Sequence, residues 1–135
     1  MNNIKDKLDS LKDKKRLLKV LERQLAQAKE DVNKIKSTSY GDRVKGGSII
    51  SEEEKYILHL EKIQKRIDNV MNEIFEIEDY ISDRIVFLSE IEQAMIIDRY
   101  IHGYSWRKIC REYHYSERQP YRIINSALNK IEKMS

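Results

Sequence analysis

Apolar side chains recur every seven positions over residues 4–35. Ile4, Leu11, Leu18, Leu25 and Val32 hold one position of the repeat, and Leu21, Ala28 and Ile35 hold the position three residues later. Neither Gly nor Pro interrupts the stretch, and Lys, Glu, Asp and Gln cover the other faces. This pattern predicts a long helix with a narrow apolar stripe that needs a partner helix. Lys7 and Lys14 stand at the second stripe position in the first two turns, so that end is expected to pack loosely. A second repeat follows: Leu60, Ile67, Ile74, Ile81 and Leu88, with Ile63, Val70 and Ile77 three residues on.

Between the two repeats, residues 37–50 carry Gly41, Gly46 and Gly47 among Ser and Asp, the composition of a loop. Ser51 followed by Glu54 is a capping box for the helix that resumes there, and Glu52, Glu53 and Glu54 suit the positive end of its dipole. Two repeats of similar length, joined by about fourteen residues, fit an antiparallel helical hairpin. Pairing of each stripe with a second subunit is the alternative, and the two arrangements can coexist.

Shorter periods follow residue 88. Ser89 with Glu92 is another capping box, opening a helix over residues 90–101 that Gly103 ends in a left-handed C-cap. Ser105 caps a short helix to Tyr113, with Trp106, Ile109, Cys110 and Tyr113 on its inner face. A turn at His114 and Tyr115 leads to Ser116, read as the cap of a final helix. Ile123, Ile124, Ala127, Leu128 and Ile131 face inward on that helix. Counted from Ser116, Pro120 is the fourth helical residue and forfeits the helix's first backbone hydrogen bond. It either stiffens the end of the helix or is a mild defect that packing overrides. The expected fold is all-α: a coiled-coil hairpin arm over residues 1–87, then a helix-turn-helix module over residues 88–135.

Charge adds a direction to this layout. Residues 1–98 hold 18 Lys and Arg against 20 Asp and Glu, a net of −2; residues 99–135 hold 8 against 3, a net of +5. Only the end of the chain is therefore expected to meet a polyanion. The start of the final helix exposes Glu117, Arg118, Gln119, Tyr121 and Arg122. A helix entering a DNA major groove by its N-terminus puts such positions nearest the base edges. Arg can bind guanine with two bonds, Gln can pair with adenine, and Glu can accept from cytosine. Arg107, Lys108 and Arg111 on the preceding helix suit phosphates, which set register without reading sequence. Lys130 and Lys133 are read as solvating the tail.

These residues also carry a resemblance. The run Ser105…Ile109-Cys110…Tyr113…Tyr115-Ser116-Glu117-Arg118…Ile123…Ala127-Leu128…Ile131-Glu132 resembles the fourth region of primary-type sigma factors, which reads the upstream promoter element. The wider layout is similar to phage late-operon transcriptional activators of the RinA and ArpU kind. Ser39-Tyr40…Arg43-Val44-Lys45-Gly46-Gly47 and Glu54-Lys55-Tyr56-Ile57 match their loop and the helix after it. The resemblance implies a DNA-binding regulator of transcription in the cytoplasm of a bacterial host. Its partners would be double-stranded DNA, RNA polymerase and a second copy of the chain. It implies Glu117, Arg118, Tyr121 and Arg122 as base readers, with Ser116 and Gln119 on the DNA backbone. The chain departs from the sigma pattern at Pro120, at Tyr121, and at His114, which stands where the turn usually has a small residue.

Other chemistries find less support. The single Cys110 excludes an internal disulfide and is read as packing rather than redox sensing, and Trp106 as a core plug rather than a stacking platform. His59, His102 and His114 share no metal-ligand spacing, and no nucleophile elbow, phosphate loop or dinucleotide fingerprint is present. No enzyme activity and no cofactor are expected. The N-terminus lacks the apolar core of a signal peptide and no apolar run spans a bilayer, which predicts a soluble intracellular protein. Tyr40, Arg43 and Lys45 either close the hairpin or contact DNA or polymerase. Two rival functions are a coiled-coil adaptor that binds RNA polymerase or a phage protein, and a DNA-recognition subunit like the small terminase.

Overall fold

A computed structural model describes residues 4–38 and 51–134. The described residues are all-helical: α1 (Ile4–Thr38), α2 (Glu52–Ile85), α3 (Glu90–Ile96) continuing into a π-helical turn (Ile97–Ile101), α4 (Trp106–Tyr113) and α5 (Gln119–Met134). The two long helices pack against one another within the chain, which is the hairpin pairing the heptads predict. Helix α1 runs on to Thr38, past the residue 37 at which the loop was expected to begin. Tyr40, Arg43, Lys45 and the Gly-rich segment lie outside the described residues. No helix of the described residues is long and apolar enough to cross a membrane.

The chain forms two compact units, Met1–Lys15 with Glu73–Ser135, and Arg16–Asn72. In the second unit, Leu21, Ala28 and Val32 of α1 and Ile63, Ile67 and Val70 of α2 are buried. All six belong to the heptad stripes. Gln27 bonds Asp31 at 3.0 Å and Gln64 bonds Asp68 at 3.1 Å, one turn on along each helix. The Ser51 hydroxyl accepts from the Glu54 amide at 3.1 Å and so caps α2.

In the first unit, Ile4 and Leu8 of α1, Ile81 and Ile85 of α2 and Leu88 join Met95, Ile96, Ile109, Ile124, Ala127, Leu128 and Ile131 in one core. Each fully buried Leu or Ile contributes about 1.5–3 kcal/mol relative to exposure. The first turns of α1 therefore pack tightly, contrary to the expectation raised by Lys7 and Lys14. Both lysines keep their heads in water or on a partner while their stems cover apolar surface. Lys7 Nζ stands 4.1 Å from the centre of the Tyr80 ring, and Lys14 bonds Glu73 at 2.6 Å. Lys15 bonds Glu78 at 2.8 Å and the Ile101 carbonyl. These pairs match early α1 with late α2, so the helices run antiparallel in this unit.

The capping box at α3 forms as expected: Glu92 N donates to Ser89 Oγ at 3.3 Å, and Ser89 N to Glu92 Oε1 at 3.0 Å. After Ile96 the helix widens, and the His102 amide donates to the Ile97 carbonyl at 2.9 Å. Gly103 (φ 76°) then takes the left-handed position while Tyr104 N donates to the Asp98 carbonyl at 2.9 Å, a bond one residue longer than that of a Schellman end, as follows from the widened turn before it. A Cβ on Gly103 would meet nothing within 4 Å, so this position needs glycine for its φ alone.

Candidate nucleic-acid interface

Helices α4 and α5 and the turn between them set the geometry of the basic end. Ser105 caps α4 through Lys108 N at 3.1 Å, and Ile109 plugs the core from the middle of the helix. The helix ends on His114, whose φ of 57° and ψ of 41° are left-handed. This conformation costs about 1–2 kcal/mol for a side chain with a Cβ. The reward is a reversal short enough to bring α5 back onto α4. Tyr115 N bonds the Cys110 carbonyl at 3.0 Å, while the Cys110 thiol points at the carbonyls of Ser116 (3.6 Å) and Glu117 (3.9 Å). The cysteine thus packs into the turn.

Helix α5 opens at Gln119, not directly after Ser116. Residues 117 and 118 form a turn, in which Gln119 N bonds the Ser116 carbonyl at 3.2 Å. Pro120 is consequently the second helical residue and forfeits no bond, because the first four amides of a helix have no intrahelical acceptor. It is also fully buried, so it is neither a defect nor part of the exposed edge. Ile124, Ala127, Leu128 and Ile131 anchor the inward face of α5.

With α5 held this way, Glu117, Arg118, Gln119, Tyr121 and Arg122 are all exposed around its start. Arg107, Lys108 and Arg111 are exposed on α4, and Ser116 in the turn. Lys108 Nζ lies 4.0 Å from the centre of the Tyr104 ring. Tyr121 is 47% exposed and meets Trp106 edge-on, with ring centres 5.4 Å apart. Trp106 packs against the core as expected, and the Arg99 guanidinium lies 4.4 Å from its ring centre while donating to the Tyr104 carbonyl at 2.8 Å. Arg99, Trp106 and Tyr121 thus form a ladder of cation and rings that limits the motion of Tyr121.

Behind this surface, polar groups hold the helices in register. Asp98, in the π-helical turn, accepts from the Tyr113 hydroxyl through Oδ2 at 2.5 Å and from His102 Nδ1 through Oδ1 at 2.8 Å. Burial, then the hydrogen bond to Asp98, push the Tyr113 phenol well above its ordinary range. Tyr100 is pushed up to about 12 by burial and by the negative charge of Asp9, with Arg99 opposing. Lys130, expected only to solvate the tail, instead donates to buried Glu92 at 2.8 Å and ties α5 to the start of α3. Burial alone would raise the Glu92 pKa, but the bonds from Lys130 and Ser89 outweigh it and hold the carboxylate below its ordinary value.

The sequence reading missed Arg99, Asp98 and Lys130 as structural partners, because each acts on a residue of a neighbouring helix that no periodicity links to it. No protein-family model matches the chain, and no match was found among curated proteins or solved structures.

Proposed function

We propose that the chain is a sequence-specific, double-stranded-DNA-binding regulator of transcription, of the phage late-operon kind. It works in the cytoplasm of a bacterial host as a homo-oligomer, with a dimer favoured. The observation that carries this reading is the exposed start of α5: Glu117, Arg118, Gln119, Tyr121 and Arg122 surround one helix end whose inner side is anchored by buried Pro120 and Ile124. A protruding helix end with mixed donors and acceptors can enter a major groove, which admits a helix and offers a distinct pattern at each base pair. Arg107, Lys108 and Arg111, with Ser116 and Gln119, supply the phosphate contacts that hold it there.

Binding of genomic duplex fragments at controlled salt tests the proposal. Each neutralised phosphate contributes about −0.9 to the slope of log affinity against log salt. Three cations on α4 therefore predict a slope of at least about −3. A flat response, or selection of no sequence above background, overturns it.

A second reading, as an adaptor for RNA polymerase or a phage protein, draws on a different surface. Val86, Phe87 and Ile91 are 61%, 75% and 40% exposed at the corner between α2 and α3, and exposed aromatic and aliphatic groups are common anchors at protein interfaces. Partner capture that survives removal of Arg118, Tyr121 and Arg122 together favours the adaptor over the DNA reader.

A further inference from the structure

The first turn of α1 belongs to the same compact unit as α5. Ile4 and Leu8 are buried in the core that holds Ile124 and Ile131. The Ile4 amide, one of the four that a helix start leaves without an intrahelical acceptor, donates to Glu132 Oε1 at 2.8 Å. This turn is thus fixed on α5 by packing and by a hydrogen bond across 128 positions of sequence.

That attachment determines where Lys5 goes. Its side chain is exposed, and Nζ stands 6.0 Å from the centre of the Tyr121 ring, at the outer limit of a cation–π contact. Four lysines of the unit are engaged elsewhere: Lys14 with Glu73, Lys15 with Glu78, Lys130 with Glu92, and Lys7 over Tyr80. Lys5 forms no ion pair among the described residues.

Resting on the DNA-binding reading above, we propose that Lys5 is a phosphate-contacting residue, and that the first turn of α1 is a third element of the DNA-binding surface beside α4 and α5. The major groove is about 12 Å wide, so a cation within 6.0 Å of a base-facing Tyr121 ring stands at the groove wall, where the phosphates lie. An ammonium there is a point charge without base preference, and it adds affinity rather than selectivity. Asp6 in the same turn and Asp9 one turn further along α1 are the opposing charges on this element, and Asp9 lies close enough to raise the Tyr100 pKa.

The test uses the full chain, a duplex recovered by selection from genomic fragments, and an unrelated duplex of equal length. Lys5→Ala is expected to weaken both duplexes by the same factor, about 3- to 10-fold at low salt, and to reduce the salt slope by about one. Lys5→Glu weakens both further, Lys5→Arg retains binding, and Asp9→Asn tightens both. Lys5 is exposed, so unfolding midpoints of its variants stay at the wild-type value and separate binding from folding. Wild-type affinity in Lys5→Glu overturns this inference and leaves the DNA reading standing. A change in selectivity without a change in salt slope overturns the phosphate role. Failure of the wild-type chain to bind either duplex overturns both.

Discussion

The hydroxyl of Tyr113, at the end of α4, donates to the Asp98 carboxylate in the π-helical turn at 2.5 Å. The pair links the helix that carries Arg107, Lys108 and Arg111 to the element that precedes it. Tyr113→Phe removes the donor and leaves Asp98 with His102 alone. A hydrogen bond to a charged, partly buried acceptor is worth about 1–2 kcal/mol here. Urea unfolding at neutral pH is expected to show that loss with an unchanged m-value, and an unchanged midpoint would mean the bond contributes nothing.

Alkaline pH acts on the same region. Tyr100 titrates at about 12 in the folded chain, above its ordinary value of 10.0, and Tyr113 is shifted in the same direction. The unfolded chain therefore loses these protons first. The stability the neutral phenols contribute is present below pH 10 and is lost as pH rises through about 12. A Tyr100→Phe, Tyr113→Phe double variant is expected to lose less stability between pH 9 and 11.5 than the wild type, as read by denaturant unfolding at each pH.

Glu92 has the opposite sign. Its folded pKa lies below the ordinary 4.5, so the stability it contributes is present above that value and lost as pH falls through the folded one. Glu92→Gln flattens the acid limb of the stability curve. At pH 7, Lys130→Ala leaves a buried carboxylate with only its Ser89 bonds, and it is expected to cost about 1 kcal/mol more than Lys133→Ala. Thermal melts of the two alanine variants at pH 7 and pH 3 decide it: the gap present at pH 7 should close in acid.

His114 offers a stabilising change. Its left-handed backbone suits glycine, so His114→Gly is expected to raise stability by up to about 1 kcal/mol, reduced by glycine's larger loss of freedom on folding. His114→Val, with a branched Cβ, moves the unfolding midpoint the other way by a larger amount. Equal midpoints for the two would show that the strain is relieved by movement of the turn.

Under the proposed DNA-binding function, Arg118 and Arg122 are the exposed residues at the start of α5 whose guanidinium groups can bind a guanine with two bonds. Replacing either with Ala is expected to cost about 1–3 kcal/mol of discrimination at one base pair, while Arg107→Ala weakens all duplexes alike. Competition binding with single-base-pair variants of the selected duplex measures this. Wild-type selectivity in both variants removes these two residues from the readout.

Much of the fold was legible because periodicity and caps are local. Ile67, Ile74 and Ile81 declared their stripe by spacing alone, and Ser89 with Glu92 declared a helix start, as did Ser105. Leu8 was not legible, since it stands off the heptad. It is buried because the first unit adds a further layer of helices to the hairpin pair, and that layer demands a wider apolar face than a two-helix seam. Pro120 was misplaced by two residues because Ser116 offers a cap by its residue type, whereas the chain uses its carbonyl to close a turn first. The exposure of Arg118, Tyr121 and Arg122 followed from the apolar period of α5. The position of Lys5 beside Tyr121 could not be read locally, since it depends on how distant helices meet.

The bond from Ile4 to Glu132 makes the order of synthesis matter. At about 5–20 residues per second, Leu8 leaves the ribosome roughly 6–25 s before Ile131, with which it shares a core. Until α5 emerges, the apolar face of the first turns of α1 has only part of its partner surface, so this unit closes only once α5 has been made. The same geometry decides how the chain can be cut. A fragment beginning at Leu88 keeps every exposed arginine of α4 and α5 but loses Ile4, Leu8, Ile81 and Ile85 from beneath them. What looks in sequence like a detachable piece depends on the first turns of α1.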